Sequence, residues 1–229
     1  MKRLIFAVLA LFVLTNAFAQ SDKVYHGYLS GSTTLLKAAI TELENQNAPA
    51  IDRLEAHYVL LNNTMSDQDE DTFDEYVDEA EELAEEILDR DETHVKANAL
   101  LGAIYGFKIA YSPMKGMFLG GESSDLSATG IKNAPANPIS HLFFAMNKHN
   151  TPEMWGGDKA LAMKHFRKAV EQFEAQGNTE QNWYYLNALA WLGIAERKAG
   201  NEATAKATFR KALEVEPKYR WAKGLLASR

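Results

Sequence analysis

The chain has 229 residues, no cysteine and a formal net charge of −7. This length suits one domain or one repeat array. The absence of cysteine excludes disulfide bonds, so the packing of an apolar core must supply the stability. The acidic balance argues against nucleic acid as a partner and against binding to anionic membrane surfaces.

The first twenty residues, MKRLIFAVLALFVLTNAFAQ, have the pattern of a secretory leader. Lys2 and Arg3 precede an apolar run, and Ala17 and Ala19 fit the A-x-A cleavage pattern. We therefore predict a signal peptide over residues 1–19, cleaved near Ala19, and a mature chain in the periplasm without membrane insertion. The alternative is an uncleaved anchor, but the apolar run is short beside the roughly 20 residues of a membrane-spanning helix.

Most of the remaining chain shows helical periodicity, because apolar residues recur three and four positions apart. The segment 112–138 is the least regular part and predicts only a weaker helix within it. The pattern as a whole predicts one all-α domain over residues 20–229. In chain order, the predicted helices cover residues 33–44, 49–62, 72–90, 94–111, 124–134, 138–148, 158–176, 180–199, 201–215 and 219–227.

The third predicted helix lies in a strongly acidic segment. Residues 66–92 carry fifteen acidic side chains and a single basic one, Arg90. Such charge blocks are usually solvated helix faces. The alternative is a docking surface for a basic partner, which would offset the repulsion between neighbouring carboxylates.

A repeated spacing is clearest over residues 186–219. Leu192 and Gly193 lie in its first helix, and Ala205, Phe209 and Ala212 follow at spacings of four and three in its second. The segment resembles the tetratricopeptide repeat (TPR) family, except at Glu196, where the family usually has an aromatic residue. Weaker copies of the second-helix spacing occur at Ala80, Ala84 and Ile87, at Ser127, Ile131 and Ala134, and at Ala162, Phe166 and Ala169.

The resemblance implies an all-α right-handed superhelix of about four degenerate TPR-like helix pairs. The stretches SPMKGMFLGG, NPISHLFF and NTPEMWGGDKALAMKHFRKAVEQFE also resemble a group of exported TPR proteins from Bacteroidetes-type bacteria. They are similar, more distantly, to the helical T component of some TRAP-type transporters. This resemblance covers about residues 97–174 and implies a periplasmic helical solenoid with no particular ligand.

Gly156, Gly157 and Asp158 raise the question of a phosphate or metal site. The triplet lacks the Lys-Ser/Thr of a P-loop. Aspartate is a preferred helix N-cap, and glycine accepts the positive φ that a tight corner needs. The pattern therefore predicts a corner between two helices, and Trp155 is the one neighbouring residue that this interpretation leaves unexplained.

No motif predicts catalysis, a bound metal or a cofactor. The six histidines form no H-x-x-x-H or H-E-x-x-H pair. The alternating acids at Asp67, Asp69 and Asp71 lack the later glycine and glutamate of an EF-hand. No G-x-S-x-G elbow is present. We predict a non-catalytic protein, with no catalytic, cofactor-binding or metal-binding residues.

TPR units hold partners on the inner face of their first helices, and the resemblance places candidate binding residues there. In an earlier unit these are Lys96, Ala99, Ala103 and Phe107. Trp191 and Phe107 could equally be core residues. Trp155 and the aromatic run 183–185 add further candidates, because no single helix face can bury that run. The candidate partner-binding set is Asn187, Trp191, Arg197, Lys198, Tyr184 and Trp155.

We predict a scaffold that binds a protein or peptide partner in the cell envelope, alone or within an envelope complex. The alternative is a helical carrier that delivers a small molecule to a transporter. A carrier needs an enclosed apolar pocket of several hundred cubic ångströms, whereas a scaffold shows an open groove. An enzyme, the third class, would need converging polar groups with perturbed pKa values.

Overall fold

The structure is a computed structural model that describes residues 22–228. The predicted signal peptide lies outside the described residues. Within them the chain forms helices and short 3-10 turns, and no strand. Helix α1 covers 22–30, and the others are α2 (Thr33–Asn45), α3 (Ala50–Asp67), α4 (Glu70–Arg90), α5 (Val95–Tyr111), α6 (Gly116–Asn133), α7 (Pro138–Asn150), α8 (Lys159–Ala175), α9 (Trp183–Lys198), α10 (Glu202–Val215) and α11 (Arg220–Ala227).

Most predicted helices are found within a few residues of their expected bounds, and four differences are informative. Helix α1 was not predicted, and α3 continues to Asp67 instead of ending near residue 62. Helix α9 begins at Trp183, not at residue 180, because the Asn182 side chain caps it by accepting hydrogen bonds from the backbone N–H groups of Tyr184 and Tyr185. The cap fixes the first residue of the helix, so residues 180–182 lie outside it.

The largest difference is α6, which fills most of the segment predicted to be irregular. A 3-10 turn (Pro113–Lys115) leads directly into it. Close packing on α5 explains the length: the Ser123 hydroxyl donates to the Gly102 carbonyl at 2.7 Å. A Cβ on Gly102 would lie only 3.2 Å from the Leu126 Cβ. Tertiary packing therefore overrides the poor helix propensity of this glycine-rich segment.

The helices pair in antiparallel order as α1–α2, α3–α4, α5–α6, α7–α8 and α9–α10, with α11 capping the last pair. The predicted second-helix positions Phe166 and Phe209 are fully buried. A Cβ on Gly193 would lie 2.3 Å from the Phe209 ring, so glycine is required for this wedge to fit. The departure at Glu196 is buried too, and its carboxylate accepts a 2.8 Å hydrogen bond from the Thr208 hydroxyl.

The corner before α8 is structural, as predicted. Asp158 accepts a 2.8 Å hydrogen bond from the backbone N–H of Leu161 and caps the helix. Gly156 has a φ of 91°. A Cβ on Gly157 would lie 1.9 Å from the Thr151 carbonyl oxygen, so no other residue fits there. These contacts account for all three residues without a ligand.

The first and last helix pairs touch, which closes the superhelix along a seam. Repeat proteins normally make contacts only between units adjacent in sequence. Here the hydroxyls of Tyr28 and Tyr219 lie 2.6 Å apart and share a hydrogen bond. The Tyr58 ring stacks on Trp183 at 5.6 Å between ring centroids. The seam joins α1 and α3 to α9 and to the start of α11, so the helices surround an interior space.

None of the helices between residues 22 and 228 combines the length and the apolar character needed to cross a bilayer.

Candidate ligand-binding cavity

The concave face of the superhelix forms a cavity of about 1480 Å³ that is partly open to solvent. Its lining comes mainly from α5, α6, α7 and α11, with the ends of α1 and α3 and one residue of α9. The corners after α1, α5 and α7 and the residue after α11 also contribute. Lining residues that are exposed, such as Met117, Trp155 and Arg220, mark the mouth of the cavity. Ligand pockets typically hold about 300–1,000 Å³, so this cavity can hold a large organic molecule.

Small residues line one wall. Ala99, Ala103 and Gly106 of α5 face the cavity together with Gly120 and Gly121 of α6. A Cβ added to Gly106, Gly120 or Gly121 would meet no atom within 4 Å, so these glycines border open space. Each glycine inside a helix costs about 1 kcal/mol relative to alanine. These small residues keep the cavity wide, but the glycines among them destabilise the helices that contain them.

Aromatic rings form another part of the lining. Tyr28, Phe107, Phe143, Trp191 and Tyr219 line the cavity. Behind them, Tyr58 packs on Phe107 and Phe143 with ring centroids 5.6 and 5.5 Å apart. Ring faces and edges held in this way offer a rigid apolar surface on which a flat ligand could stack.

Two buried donors in the lining lack an acceptor. The Trp191 Nε1–H and the Asn63 Nδ2 amide are both buried without a hydrogen-bond partner. An unsatisfied buried donor costs about 1–3 kcal/mol. A ligand with oxygen acceptors would satisfy these groups, and a water molecule would satisfy them less specifically.

Few of the described lining residues are charged. Arg220 is their single base, and it lies at the mouth, where it donates to the Ser30 carbonyl at 3.3 Å. Asp67 and Asp125 are the acids. The lining contains no histidine and no cysteine. The cavity can therefore bury an apolar body and place one anionic group beside Arg220.

Large apolar side chains surround the mouth in water. Trp155 and Met117 are 68% and 75% exposed, and both line the cavity. Trp155 lies in the corner after α7, and Met117 lies in the first turn of α6. This position gives Trp155, which the corner interpretation left unexplained, a place at the entrance to the cavity. Exposed apolar residues near these two are Met114, Phe118 and Met154.

The structure brings only part of the predicted partner-binding set together. Trp191 and Trp155 line the cavity, as do Ala99, Ala103 and Phe107 of the earlier unit. Asn187 is buried behind the lining, with its Nδ2 3.8 Å from the Met146 sulfur. The other three candidates face away from the lining and make contacts elsewhere: Tyr184 donates to Glu55, Arg197 pairs with Glu202, and the Lys198 Nζ lies 3.4 Å from His149 Nε2.

The aromatic run 183–185 is entirely buried and packs on neighbouring helices, so it supplies no exposed binding residue. Trp183 packs on α3, Tyr184 on α7 and Tyr185 on α8. Burial, followed by the Glu55 carboxylate, holds the pKa of Tyr184 well above its usual value. These residues stabilise the fold around the cavity.

Three features of the cavity were not predicted from the sequence: Arg220, Asn63 and the glycine wall. The wall had a visible signal, since Gly102 and Gly106 lie four residues apart on one face of α5. Helix-interior glycines at that spacing indicate close packing or open space along one face. Arg220 and Asn63 carried no local signal, because only the closure of the superhelix brings α3 and α11 to the same cavity.

The acidic helix α4 has internal partners for some of its charges. Glu75 pairs with Lys37 at 2.7 Å, Glu81 with Lys108 at 2.7 Å, and Glu86 with Arg90 at 2.7 Å. Asp74, Asp78 and Glu82 remain exposed. Part of the predicted repulsion is therefore offset within the chain, without a basic partner.

Two solved structures resemble this fold. A haemophore, HusA from Porphyromonas gingivalis, superimposes with a TM-score of 0.61 at 18% identity, over 80% of this chain and 93% of that one. A TPR protein of Thermus thermophilus, TTC0263, gives a TM-score of 0.54 at 18% identity, over 95% of this chain and 97% of that one. No protein-family model and no curated protein sequence matches the chain. The predicted fold class, an all-α right-handed superhelix of degenerate TPR-like pairs, is confirmed.

Proposed function

We propose that this chain is an exported, non-catalytic binding protein of the cell envelope whose cavity holds a flat, largely apolar ligand with a carboxylate at its edge. The size and lining of the cavity carry this proposal. The contact between the first and last helix pairs favours the carrier alternative over a scaffold with an open groove, because it deepens the cavity, which stays partly open to solvent. A porphyrin is the ligand class that best combines a broad flat ring with peripheral carboxylates.

The likeness to a haemophore supports this ligand class. Aromatic rings and the glycine wall together line a space that could hold a ring system, and the exposed Arg220 lies in the lining where a carboxylate would emerge. Because the lining has no histidine, stacking and apolar burial would supply the affinity rather than ligation of a metal by imidazole. The proposed periplasmic location rests on the leader pattern of residues 1–19.

Titration with protoporphyrin, haem and the porphyrin dimethyl ester tests the proposal. Quenching of tryptophan fluorescence should saturate at one ligand per chain, since Trp155 and Trp191 line the cavity. Replacing Arg220 by glutamine should weaken binding of the free acid about tenfold or more, because charge-assisted hydrogen bonds contribute about 1.5–3 kcal/mol. Binding of the ester should change little. If no porphyrin saturates the protein, the ligand class is wrong.

A peptide is the second candidate, favoured by polar groups along the same cavity. Asn62, Asn63, Asn147 and Asn150 all line it, and side-chain amides can bond both N–H and C=O groups of a peptide backbone. Selection from a displayed peptide library, followed by competition with porphyrin, separates the two candidates. A selected peptide that porphyrin does not displace would favour the scaffold.

A further inference from the structure

Three ligand-type side chains converge on the α2–α3–α4 packing, separate from the cavity. They are Glu44 of α2, His57 of α3 and Glu79 of α4. One imidazole nitrogen and one oxygen from each carboxylate lie within 4.8 Å of one another. None of the three residues lines the cavity described above.

His57 is held in the form that a metal ligand requires. Its side chain is fully buried, and Nδ1 lies 2.9 Å from the Arg53 carbonyl oxygen, to which it can only donate. With the proton on Nδ1, a neutral imidazole carries its lone pair on Nε2, the atom that a metal ion would bind. Nε2 is buried without a hydrogen bond and lies 3.5 Å from Glu79 Oε2. The Nε2 atom of His57 therefore has no hydrogen-bond partner and lies near the Glu79 carboxylate.

The two carboxylates lack a compensating cation. Within residues 22–228, no lysine or arginine forms an ion pair with Glu44 or Glu79. The nearby Lys37 pairs with Glu75 instead. The two carboxylates and the imidazole nitrogen together offer three ligand atoms to one cation, and a bound cation would also give the unpartnered Nε2 of His57 a partner.

We propose that Glu44, His57 and Glu79 bind a divalent transition-metal ion such as Zn²⁺, with water completing the coordination. Ligands about 2.0–2.2 Å from a tetrahedral zinc lie about 3.3 Å from each other, close to the observed distance between His57 and Glu79. One nitrogen with two oxygens suits zinc better than calcium, which takes six to eight oxygens. These ligands lie on three different helices, so they form no local motif such as a helical histidine pair. For that reason no metal site was predicted from the sequence.

The bound ion would pin α2, α3 and α4 together. Glu44 and Glu79 approach His57 from the helices on either side, and Glu79 is partly exposed. Small rotations of the two glutamates bring their oxygens to bonding distance while His57 stays fixed. The role we assign to the ion is structural, since it would join three helices and none of its ligands lines the large cavity.

Zinc titration of the protein, purified without a histidine tag and monitored with a chromophoric chelator in competition, tests the site. One Zn²⁺ per chain should bind, and thermal unfolding should shift upward with zinc concentration because the ion binds only the folded chain. Glu44→Gln and Glu79→Gln should each weaken binding about tenfold or more, as loss of even an outer-shell partner does. Both keep the side-chain shape.

Glu75→Gln is the matched control, since Glu75 lies on the same helix and pairs with Lys37. Its zinc affinity should equal that of the parent. His57→Ala should abolish binding, and circular dichroism shows whether that variant remains folded. The proposal is overturned if no stoichiometric zinc binds, or if Glu44→Gln and Glu79→Gln bind zinc as tightly as the parent. Either result leaves the cavity proposal untouched, because the two sites share no residue.

Discussion

At the scale of single residues, aromatic wedges between paired helices are the contacts that sequence spacing predicts best. Phe166 and Phe209 recur at equivalent places of two pairs, and both are fully buried. Their four-and-three spacing is local, so it is visible in the sequence. The same spacing cannot show what surrounds Phe209, such as the Arg197 guanidinium 4.9 Å from its ring centroid.

Phe209→Ala should lower the free energy of unfolding by about 3–5 kcal/mol, because a buried aromatic ring is replaced by a cavity. Gly193, which admits the ring, cannot fill that space. The matched control is Phe118→Ala, since Phe118 is 78% exposed, and its cost should stay within about 0.5 kcal/mol. Urea denaturation measures both. Equal costs at the two positions would contradict the wedge assignment.

Buried histidines make the stability depend on pH. His149 packs between Phe166 and Trp191, and burial, followed by Lys198 and Lys159, lowers its pKa to about 4. The unfolded histidine has a pKa of about 6.5. Between these values only the unfolded chain binds the proton, so stability is fully present above about pH 6.5 and falls as the pH drops towards 4.

The slope of unfolding free energy against pH measures this effect. His149→Gln should reduce the slope between about pH 6.5 and 4, where one such group contributes up to about 1.4 kcal/mol per pH unit. His165, whose pKa burial and His141 lower to about 4, should account for part of the slope that remains. Parallel profiles for parent and variant would show that His149 does not titrate differently on unfolding.

At the scale of helices, periodicity predicts the amphipathic elements well and fails where tertiary packing decides. Helix α4 has an apolar stripe with acids opposite, and its bounds were predicted within two residues. Helix α6 holds glycines and serines with little periodicity, and only its contacts with α5 keep it helical. The periodicity of apolar residues within a segment gives no information on its contacts with other helices, so this segment was predicted to be largely irregular.

The exposed acids of α4 offer a test at this scale. Asp78 lies four residues from both Asp74 and Glu82, so Asp78→Lys replaces two like-charge pairs by two opposite pairs, each change being about 0.4–1 kcal/mol. Without a basic partner, the free energy of unfolding should rise by roughly 1 kcal/mol, and the gain should shrink in high salt. Asp78→Asn, the control, should give about half. A destabilised Asp78→Lys protein would show that the acid has a partner within the fold.

At the scale of the whole molecule, closure of the superhelix creates the cavity. The contacts at the seam join residues nearly two hundred positions apart, such as Tyr28 and Tyr219. The repeat pattern predicts the helix pairs and the handedness of the superhelix. It does not predict contacts between pairs that are far apart in the sequence, because each repeat normally contacts only its neighbours. The sequence therefore predicted the fold class and the inner-face residues Ala103, Phe107 and Trp191, while the enclosed shape and the role of Arg220 required the structure.

The cavity itself is tested most directly by filling it. Gly106 borders open space inside a helix, where a larger residue improves helix propensity, so Gly106→Trp should occupy the slot without loss of stability. Ala207→Trp places the same ring on the exposed face of α10 as the control. The decisive measurement is porphyrin titration of the parent and the two variants. Their free energies of unfolding are measured as well, to show that all three proteins are equally stable. If the ligand occupies the cavity, porphyrin binds saturably to the parent and to Ala207→Trp, and this binding is lost in Gly106→Trp. Equal binding by all three would place the ligand outside the cavity and contradict the proposed site.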